Sequence, residues 1–263
     1  MIAVLRLIFA IPLILILTIV LAPVQLISSA ANLKLAKTIP YWFHRILLYL
    51  IGVRVIIHGK FSYAHPLLLV CNHISWLDIL VMGSVNELCF IAKAEVGTWP
   101  VISRLAKMQG TVFVNRQRSS QTGNQADSIA SRLLAGDVMV LFAEGTTGDG
   151  NRILPFNSSL LGAAQYAIRQ SHIDKVAVQP VAITYSRLHG LPLGRRFQPE
   201  ASWPGNVRLV KHAVNILMRS AFDVDVVLGD PMDFTASSNR KIVSRNLNSE
   251  VAAMYSKAIG NNL

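Results

Sequence analysis

The first acidic residue of this 263-residue chain is Asp78, so nearly the first third of the sequence has no negative side chain. Between Arg6 and Lys34 there is no charge of either sign. This apolar run exceeds the ~20 residues that a helix needs to cross a bilayer, so it predicts a membrane helix, which Pro12 and Pro23 are expected to bend. With 52% hydrophobic residues, the chain is too apolar for an ordinary cytosolic protein.

Basic residues flank this apolar run, and the whole chain carries a formal net charge of +11. Those that precede Asp78 are Arg6, Lys34, Lys37, Arg45, Arg54 and Lys60. Each is drawn to anionic lipid headgroups by ~1 kcal/mol, and basic loops favour the cytoplasmic side of a membrane. We therefore expect membrane lipids as partners and a location at the inner cell membrane, with the folded domain on the cytoplasmic face. No basic run is interleaved with aromatic residues, so a nucleic-acid partner is not expected.

A second segment, residues 41–51, begins with aromatic residues and is interrupted by Arg45, as in helices that lie at the membrane interface. Together the two segments predict a membrane-embedded helical pair, with residues 1–58 as an anchor and residues 59–263 as an α/β domain. A cleaved signal peptide is the alternative, because the small residues 28–31 resemble a cleavage site. The apolar run is longer than the usual ~7–15 residues of such a peptide, which favours a retained anchor.

Several kinds of site are excluded by what is missing. The only cysteines, Cys71 and Cys89, lack CxxC spacing, so they are predicted to be reduced core residues. No Gly-x-Ser-x-Gly segment occurs, so a serine acyl-enzyme is not indicated. The histidines that lack partners at metal-ligand spacing are His44, His58, His65, His172, His189 and His212. Neither zinc nor another cofactor is therefore predicted.

Beyond about residue 60, short apolar runs alternate with helical stretches, which is typical of an α/β domain. We predict strands at residues 53–58, 67–71, 89–92, 111–114, 138–142, 176–184 and 224–228. Several are apolar throughout, as in a mixed, largely parallel sheet flanked by helices. Helices are predicted at residues 75–83, 100–108, 125–135, 158–169 and 240–258, and a long surface loop at residues 188–204.

One short segment pairs groups that can move a proton. Residues 72–78, with the sequence NHISWLD, place the imidazole of His73 and the carboxylate of Asp78 beside a predicted helix start. An imidazole has an ordinary pKa of ~6.5, so a histidine held by an acid can take a proton from a hydroxyl group at neutral pH. The spacing from Ser75 to Asp78 also fits a capping box, in which Asp78 only stabilises the helix start. A histidine hydrogen-bonded purely for structure is a further alternative.

Two other predicted strands lead to polar residues. The run 138–142 enters a glycine-rich loop through Glu144, and loops at the carboxyl ends of strands are the usual sites of α/β sheets. The run 111–114 leads to Arg116, whose guanidinium is suited to holding a phosphate or a carboxylate. A plain turn and a solvated surface charge are the respective alternatives.

In this order the segments resemble a known pattern. Residues 72–78, 110–116, 142–146 and 178–183 are similar to the four motifs of the glycerolipid acyltransferase family, which includes bacterial 1-acyl-glycerol-3-phosphate acyltransferases. The resemblance covers roughly residues 50–230, and the helical pair fits the membrane anchor of that family. It implies that His73 is the general base on a lysolipid hydroxyl and that Asp78 orients the imidazole. The hydroxyl oxygen would attack the thioester of acyl-CoA or acyl carrier protein, without an acyl-enzyme.

The resemblance also assigns residues to substrate binding. Those implied to hold the acceptor headgroup are Arg116, Glu144, Gly145 and Thr146. Pro180 is implied to shape the site. Lys93, in a segment similar to one between the first two motifs of the family, is implied to contact substrate, and a solvated strand-end lysine is the alternative.

The third motif departs from the family pattern, which reads Phe-Pro-Glu-Gly-Thr-Arg. Ala143 replaces the proline and Thr147 the arginine, so a phosphate-binding cation is missing, and Arg152 is the next cation along the chain. The expected acceptor is 1-acyl-sn-glycerol-3-phosphate, giving phosphatidic acid, with lyso-ornithine lipid as the alternative. A non-catalytic lipid-binding protein is less favoured because the His73–Asp78 pair is intact. A thioesterase is less favoured because the serine motif is absent.

Overall fold

Two long helices open the chain. The computed structural model describes residues 2–114, 122–170, 174–205, 207–219 and 221–260. In it, α1 (Ile2–Ala30) packs against α2 (Leu35–Ile51). Within the described residues, Ile8–Ala30 is the one helical stretch long and apolar enough to cross a membrane. Gly52 ends α2 with a φ of 76°, a left-handed conformation that glycine adopts without steric cost.

The described strands form one sheet of nine. They are β1 (Val53–His58), β2 (Leu67–Cys71), β3 (Leu88–Lys93), β4 (Val112–Val114), β5 (Val138–Phe142), β6 (Lys175–Leu188), β7 (Leu191–Pro192), β8 (Phe222–Leu228) and β9 (Met232–Thr235). The order is β1-β8-β6-β2-β5-β3-β4, with β7 and β9 also paired to β6. Pairing is parallel except where β6 meets β7, β8 and β9. The predicted mixed, largely parallel sheet is confirmed.

The long strand β6 changes partners at Pro180. Up to Val178 its outer side pairs with β9, and from Val181 onward it pairs with β8. A proline has no N–H to give to a sheet, so it is tolerated best where the ladder is already interrupted. The Pro180 carbonyl still accepts the Gly229 N–H at 2.9 Å, which fastens the chain leaving β8 to the centre of the sheet.

The remaining helices surround the sheet. They are α3 (Leu77–Gly83), α4 (Pro100–Met108), α5 (Thr122–Leu134), α6 (Ser158–Gln170), α7 (Gly194–Phe197), α8 (Leu209–Arg219) and α9 (Arg240–Ile259). The last helix, α9, packs on β6, β8 and α6, whereas α4 and α8 both contact α1. Strand β2 is buried along its whole length, so the core lies around the centre of the sheet.

The predicted long surface loop at residues 188–204 contains regular structure. Leu191 pairs back onto Leu188 to make the short hairpin of β6 and β7, and α7 follows within the same segment. The turn residues His189 and Gly190 both have positive φ, as a two-residue hairpin requires. Further on, α8 and β9 are elements that the sequence pattern does not predict.

Strand β1 lies inside the segment that the sequence assigns to the anchor. It pairs with β8 over its six residues, from Val53 opposite Phe222 to His58 opposite Val227. The sheet therefore begins directly after α2, with only Gly52 between helix and strand.

Candidate active site

The carboxyl ends of β2 and β5 meet near the centre of the sheet. These strands are parallel neighbours with Cys71 opposite Phe142, so the residues that follow them emerge side by side. The His73 backbone N–H donates to Glu144 Oε1 at 3.2 Å, and the His73 carbonyl accepts the Gly148 N–H at 2.8 Å. The structure thus brings the first and third motifs together at the edge where α/β sheets place their sites.

His73 and Asp78 form a hydrogen-bonded pair. His73 Nδ1 lies 2.9 Å from Asp78 Oδ2, and the Asp78 side chain is fully buried. The same carboxylate oxygen accepts the backbone N–H groups of Ile74 at 2.6 Å and Ser75 at 2.9 Å. The bond from Ser75 is the carboxylate half of a capping box. The Asp78 carboxylate therefore supports the start of α3 and holds the imidazole of His73 at the same time.

The ring of His73 is held by aromatic stacking. Its centroid lies 4.1 Å from that of Phe142 with the planes 17° apart, and Phe142 stacks in turn on Phe90 at 6.1 Å. Because Nδ1 faces the carboxylate, Nε2 is the nitrogen left to accept a proton, and no described residue hydrogen-bonds it. The side chain is 16% exposed, which leaves an approach for a hydroxyl group.

Two side chains fasten this segment to β6. Tyr185 donates its hydroxyl to Asp78 Oδ1 at 2.7 Å. Burial and the negative charge of Asp78 raise the pKa of Tyr185 well above its usual value, so the hydroxyl stays protonated and able to donate. The Asn72 amide accepts the Ile183 N–H at 2.8 Å and donates to the Ile183 carbonyl at 3.0 Å.

Sequence reasoning missed Tyr185. The residue stands two positions after Ile183, which closes the fourth motif, and residues two apart in a strand point to the same face. A polar aromatic residue at that position of an otherwise apolar strand was the available signal.

Glu144 is a buried carboxyl group, only 8% exposed. Burial raises its pKa to about 8, the charge of Asp78 adds to that rise, and the hydrogen bond from the His73 N–H opposes it. At neutral pH the protonated form is therefore the more populated one. Glu144, predicted to hold the headgroup, thus supports the backbone of His73. The second carboxyl oxygen of Glu144 lies close to Gly148, where an added Cβ would come within 3.4 Å of it.

Helix α9 holds the far side of the third-motif loop, which comprises residues 143–157. Tyr255 donates its hydroxyl to the Gly150 carbonyl, Asn248 donates to the Leu154 carbonyl at 2.9 Å, and Ser244 donates to the Phe156 carbonyl at 3.0 Å. Gly150 has a φ of 75°, which favours glycine at this bend. One helix therefore satisfies three backbone carbonyls of the loop and holds the loop in place.

The middle of the loop is bound to a different part of the chain. The Thr147 hydroxyl donates to the Trp203 carbonyl at 2.5 Å, and the backbone N–H of Trp203 donates to the Ile74 carbonyl at 2.9 Å. Trp203 also meets Trp99 edge-on at 6.3 Å. The predicted headgroup residue Thr146 is exposed, whereas Gly145 turns the chain with a φ of 71°.

Of the two predicted cations, one can be placed. Lys93 ends β3, where it pairs with Val114, and it is half-buried without an ion-pair partner among the described residues. Arg116 lies outside the described residues. Arg152 is exposed on the third-motif loop.

A hydrogen bond ties α8 to residues 72–78, the segment that carries His73 and Asp78 and is here named the dyad segment. Trp76 donates its indole N–H to His212 Nδ1 at 2.9 Å. Burial lowers the pKa of His212, which favours the neutral ring that can accept this bond. The helix that the sequence did not predict therefore contacts the first motif through Trp76.

Within the described residues, no group of three or more His, Cys, Asp or Glu side chains is arranged to hold a metal ion. Cys71 and Cys89 are free cysteines. Burial raises the pKa of Cys89 to about 11, which keeps it protonated at neutral pH.

Comparison of the sequence with known proteins identifies a family and several relatives. A family model described as Acyltransferase matches residues 53–184. The lyso-ornithine lipid O-acyltransferase of Brucella abortus (strain 2308) is 50% identical over 85% of this chain and 84% of its own length. The protein of the same name from Rhizobium meliloti (strain 1021) is 44% identical over 91% and 82%. A 1-acyl-sn-glycerol-3-phosphate acyltransferase of Neisseria gonorrhoeae is 34% identical over 54% and 57%.

One solved structure shares the fold. The crystal structure of the 1-acyl-sn-glycerophosphate acyltransferase from Thermotoga maritima superposes with a TM-score of 0.60, covering 84% of this chain and 78% of that one. The sequences are 18% identical, so this likeness concerns the architecture alone.

Proposed function

The chain belongs to the glycerolipid acyltransferase family and transfers acyl groups to lysolipids, and we propose that its acceptor is a lyso-ornithine lipid. Relatives of that name are 50% and 44% identical to this chain, against 34% for the Neisseria gonorrhoeae enzyme. The motif pattern alone favours the phosphate-bearing acceptor, so the relatives reverse the order of the two candidates. The second candidate is 1-acyl-sn-glycerol-3-phosphate, because the Neisseria relative carries its name.

The observation that carries this choice is the contact made by Thr147. It stands where the family pattern has arginine, and its hydroxyl is used to hold the Trp203 carbonyl. Nearby, Asp149 is exposed and has no ion-pair partner among the described residues. An exposed carboxylate two residues from position 147, with no guanidinium at position 147 itself, suits the ammonium group of ornithine better than a phosphate dianion, and Arg152 lies five residues further along the loop.

The reaction proceeds by direct transfer. His73 Nε2 takes the proton of the acceptor hydroxyl as the hydroxyl oxygen attacks the carbonyl carbon of the thioester. A C–O bond forms and the C–S bond breaks, and the thiolate leaves with the proton that the imidazolium returns. Asp78 stabilises the imidazolium between the two proton transfers, as the acid of a Ser-His-Asp triad does, with the lysolipid hydroxyl in the place of serine.

The proposal also covers the acyl donor and the location of the enzyme. The acyl donor is acyl-CoA or acyl carrier protein, and the step uses neither a metal nor an organic cofactor. Arg116 and Lys93 are the cations proposed to contact substrate. Helices α1 and α2 serve as the anchor at the cytoplasmic face of the inner membrane, and the catalytic domain begins with β1 at Val53 rather than at residue 59.

An assay with a panel of lysolipids tests the proposal. Membranes that contain the chain are incubated with a labelled acyl thioester and either lyso-ornithine lipid or 1-acyl-sn-glycerol-3-phosphate. We expect a diacyl product from lyso-ornithine lipid at the higher rate. Acylation of the phosphate lipid alone would overturn the choice of acceptor. Free fatty acid without diacyl product would indicate a thioesterase, and no thioester consumption a binding protein.

Position 147 offers a matched pair of variants. Thr147→Arg restores the family's guanidinium, and a charge-assisted bond is worth ~1.5–3 kcal/mol, so we expect use of the phosphate lipid to rise about tenfold or more. Thr147→Val removes the hydroxyl bond to Trp203 at nearly constant volume and adds no charge. It therefore separates loosening of the loop from gain of the cation, and an equal shift in preference by both variants would contradict the charge argument.

A further inference from the structure

Helix α8 has an apolar face that the core does not use. Val210, Val214 and Met218, here named the α8 stripe, are 76%, 37% and 45% exposed. They are spaced four residues apart, so they lie one above the other on one side of the helix. On another side, His212 and Ile216 are buried, which means that the contact of α8 with the domain is already made.

The charge beside the α8 stripe is positive. Lys211 is exposed and α8 contains no acidic residue, whereas Arg219 lies on the side away from the stripe and pairs with Glu200 at 3.0 Å. An exposed apolar strip bordered by lysine is typical of helices that lie in the plane of a membrane interface. A protein partner with an acidic rim would meet the same charge, so position must decide between the two occupants.

The position of α8 favours lipid. It packs against α1, and α4 contacts α1 as well. On the outer side of α1 the exposed residues include Phe9, Ile16 and Ile19, while α4 exposes Val101. The helix that carries the α8 stripe therefore lies beside α1, the helix that is long and apolar enough to cross a membrane.

We propose that the α8 stripe inserts into the headgroup region of the bilayer that holds α1, as a second membrane contact made by the α/β domain itself. The inner side of the same helix bonds Trp76 through His212, so this contact holds the dyad segment at a fixed height above the lipid. A lysolipid would then reach His73 from the bilayer without crossing open water. The membrane contact does not depend on which lysolipid is the acceptor.

The test places a fluorescent label at chosen positions of the full chain in anionic vesicles. Single cysteines are introduced as Val210→Cys, Val214→Cys and Met218→Cys, labelled with an environment-sensitive dye, and exposed to lipids that carry a quencher just below the headgroups. Ile242→Cys is the matched control, because Ile242 is also an apolar residue at 48% exposure but belongs to α9, which packs on β6, β8 and α6. Cys71 is buried, and Cys89 is half-buried with a pKa raised by burial to about 11, so both native thiols react more slowly than an exposed cysteine, and the unsubstituted chain gives the background labelling.

We expect the lipid quencher to reduce emission several-fold more at the three α8 positions than at Ile242. Lys211→Gln should reduce that quenching in anionic vesicles and leave it unchanged in neutral ones. Equal quenching at α8 and Ile242 would overturn the proposal. So would α8 labels that are shielded from water but not quenched, with shielding that increases with protein density, because that result identifies a second copy as the occupant.

Discussion

Among the described residues, two His–Asp pairs have contacts of similar length, and only the first is proposed to transfer a proton. His73 Nδ1 lies 2.9 Å from Asp78, and His58 Nε2 lies 2.7 Å from Asp225. The first pair follows the carboxyl end of the buried strand β2, whereas the second bridges β1 and β8 within the strands themselves, beside the edge of the sheet. Contact distance alone does not separate them.

The surroundings of the carboxylates do separate them. Asp78 also accepts the N–H groups of Ile74 and Ser75 and the hydroxyl of Tyr185, whereas His58 is the only hydrogen-bond partner of the Asp225 side chain among the described residues. In the first pair the distal nitrogen Nε2 is left for a substrate. In the second pair Nε2 is already engaged, and the remaining Nδ1 lies next to the backbone of its own residue. The pair proposed to be catalytic thus differs from the other pair by a fixed acid and a free distal nitrogen.

The largest expected effect comes from removing each imidazole in turn. Since His73 is the proposed base, His73→Ala should lower kcat by ~10²–10⁴ with folding intact. His58→Ala removes an equally short His–Asp contact and should change the rate of acyl transfer by less than about threefold. Steady-state assays with lysolipid vesicles check both, and comparable losses in the two variants would erase the distinction between the pairs.

A smaller effect is expected from the hydroxyl that holds the acid. Tyr185→Phe leaves a buried oxygen of Asp78 unsatisfied, so it should cost about 1–3 kcal/mol of stability and lower kcat about tenfold with KM unchanged. Tyr255→Phe is the matched control, because this buried hydroxyl binds the Gly150 carbonyl rather than the dyad. It should lose stability to a similar degree and keep kcat within about twofold. A kcat loss of the same size in both variants would reduce Tyr185 to a purely structural role.

The last expected effect is on the pH dependence of stability, and it comes from Glu144, the carboxyl group that accepts the His73 N–H. Its pKa is about 8 in the folded chain and lower when unfolded, so between about pH 4.5 and 8 the folded state binds more protons. The stability that this group contributes therefore falls as the pH rises through that range, with a slope of at most about 1.4 kcal/mol per pH unit. Glu144→Gln cannot ionise, and its unfolding free energy should be flatter with pH over this window. Identical pH dependence in both proteins, measured by denaturant unfolding in detergent, would show that Glu144 is not the cause.

The sequence was sufficient where one local pattern determined the structure. The uniformly apolar runs 67–71 and 138–142 match β2 and β5, because strands buried on both faces leave few other arrangements. His73 and Asp78 were recognised because the two residues are only five positions apart, so one short segment of the sequence contains both. Family resemblance then linked Glu144 to the same site.

The rest depended on contacts between distant parts of the chain. Tyr185 reaches Asp78 across 107 positions, and the Thr147 hydroxyl reaches Trp203 across 56, which no local pattern reveals. Helix α8 is an exception, because its apolar and polar residues do separate at helical spacing, so a local signal was available there and was overlooked. The short strand β9 forms only because β6 extends far enough to pair with it.

The most direct test of the account is the amount of thiol released when the enzyme meets the acyl thioester without an acceptor. If the lysolipid hydroxyl attacks directly, rapid mixing should show no burst of thiol and no acyl group on the protein, and release should begin only when lysolipid is added. A burst equal to the enzyme concentration, with a covalently acylated chain seen by mass spectrometry, would contradict the central role given to His73 and the lysolipid hydroxyl.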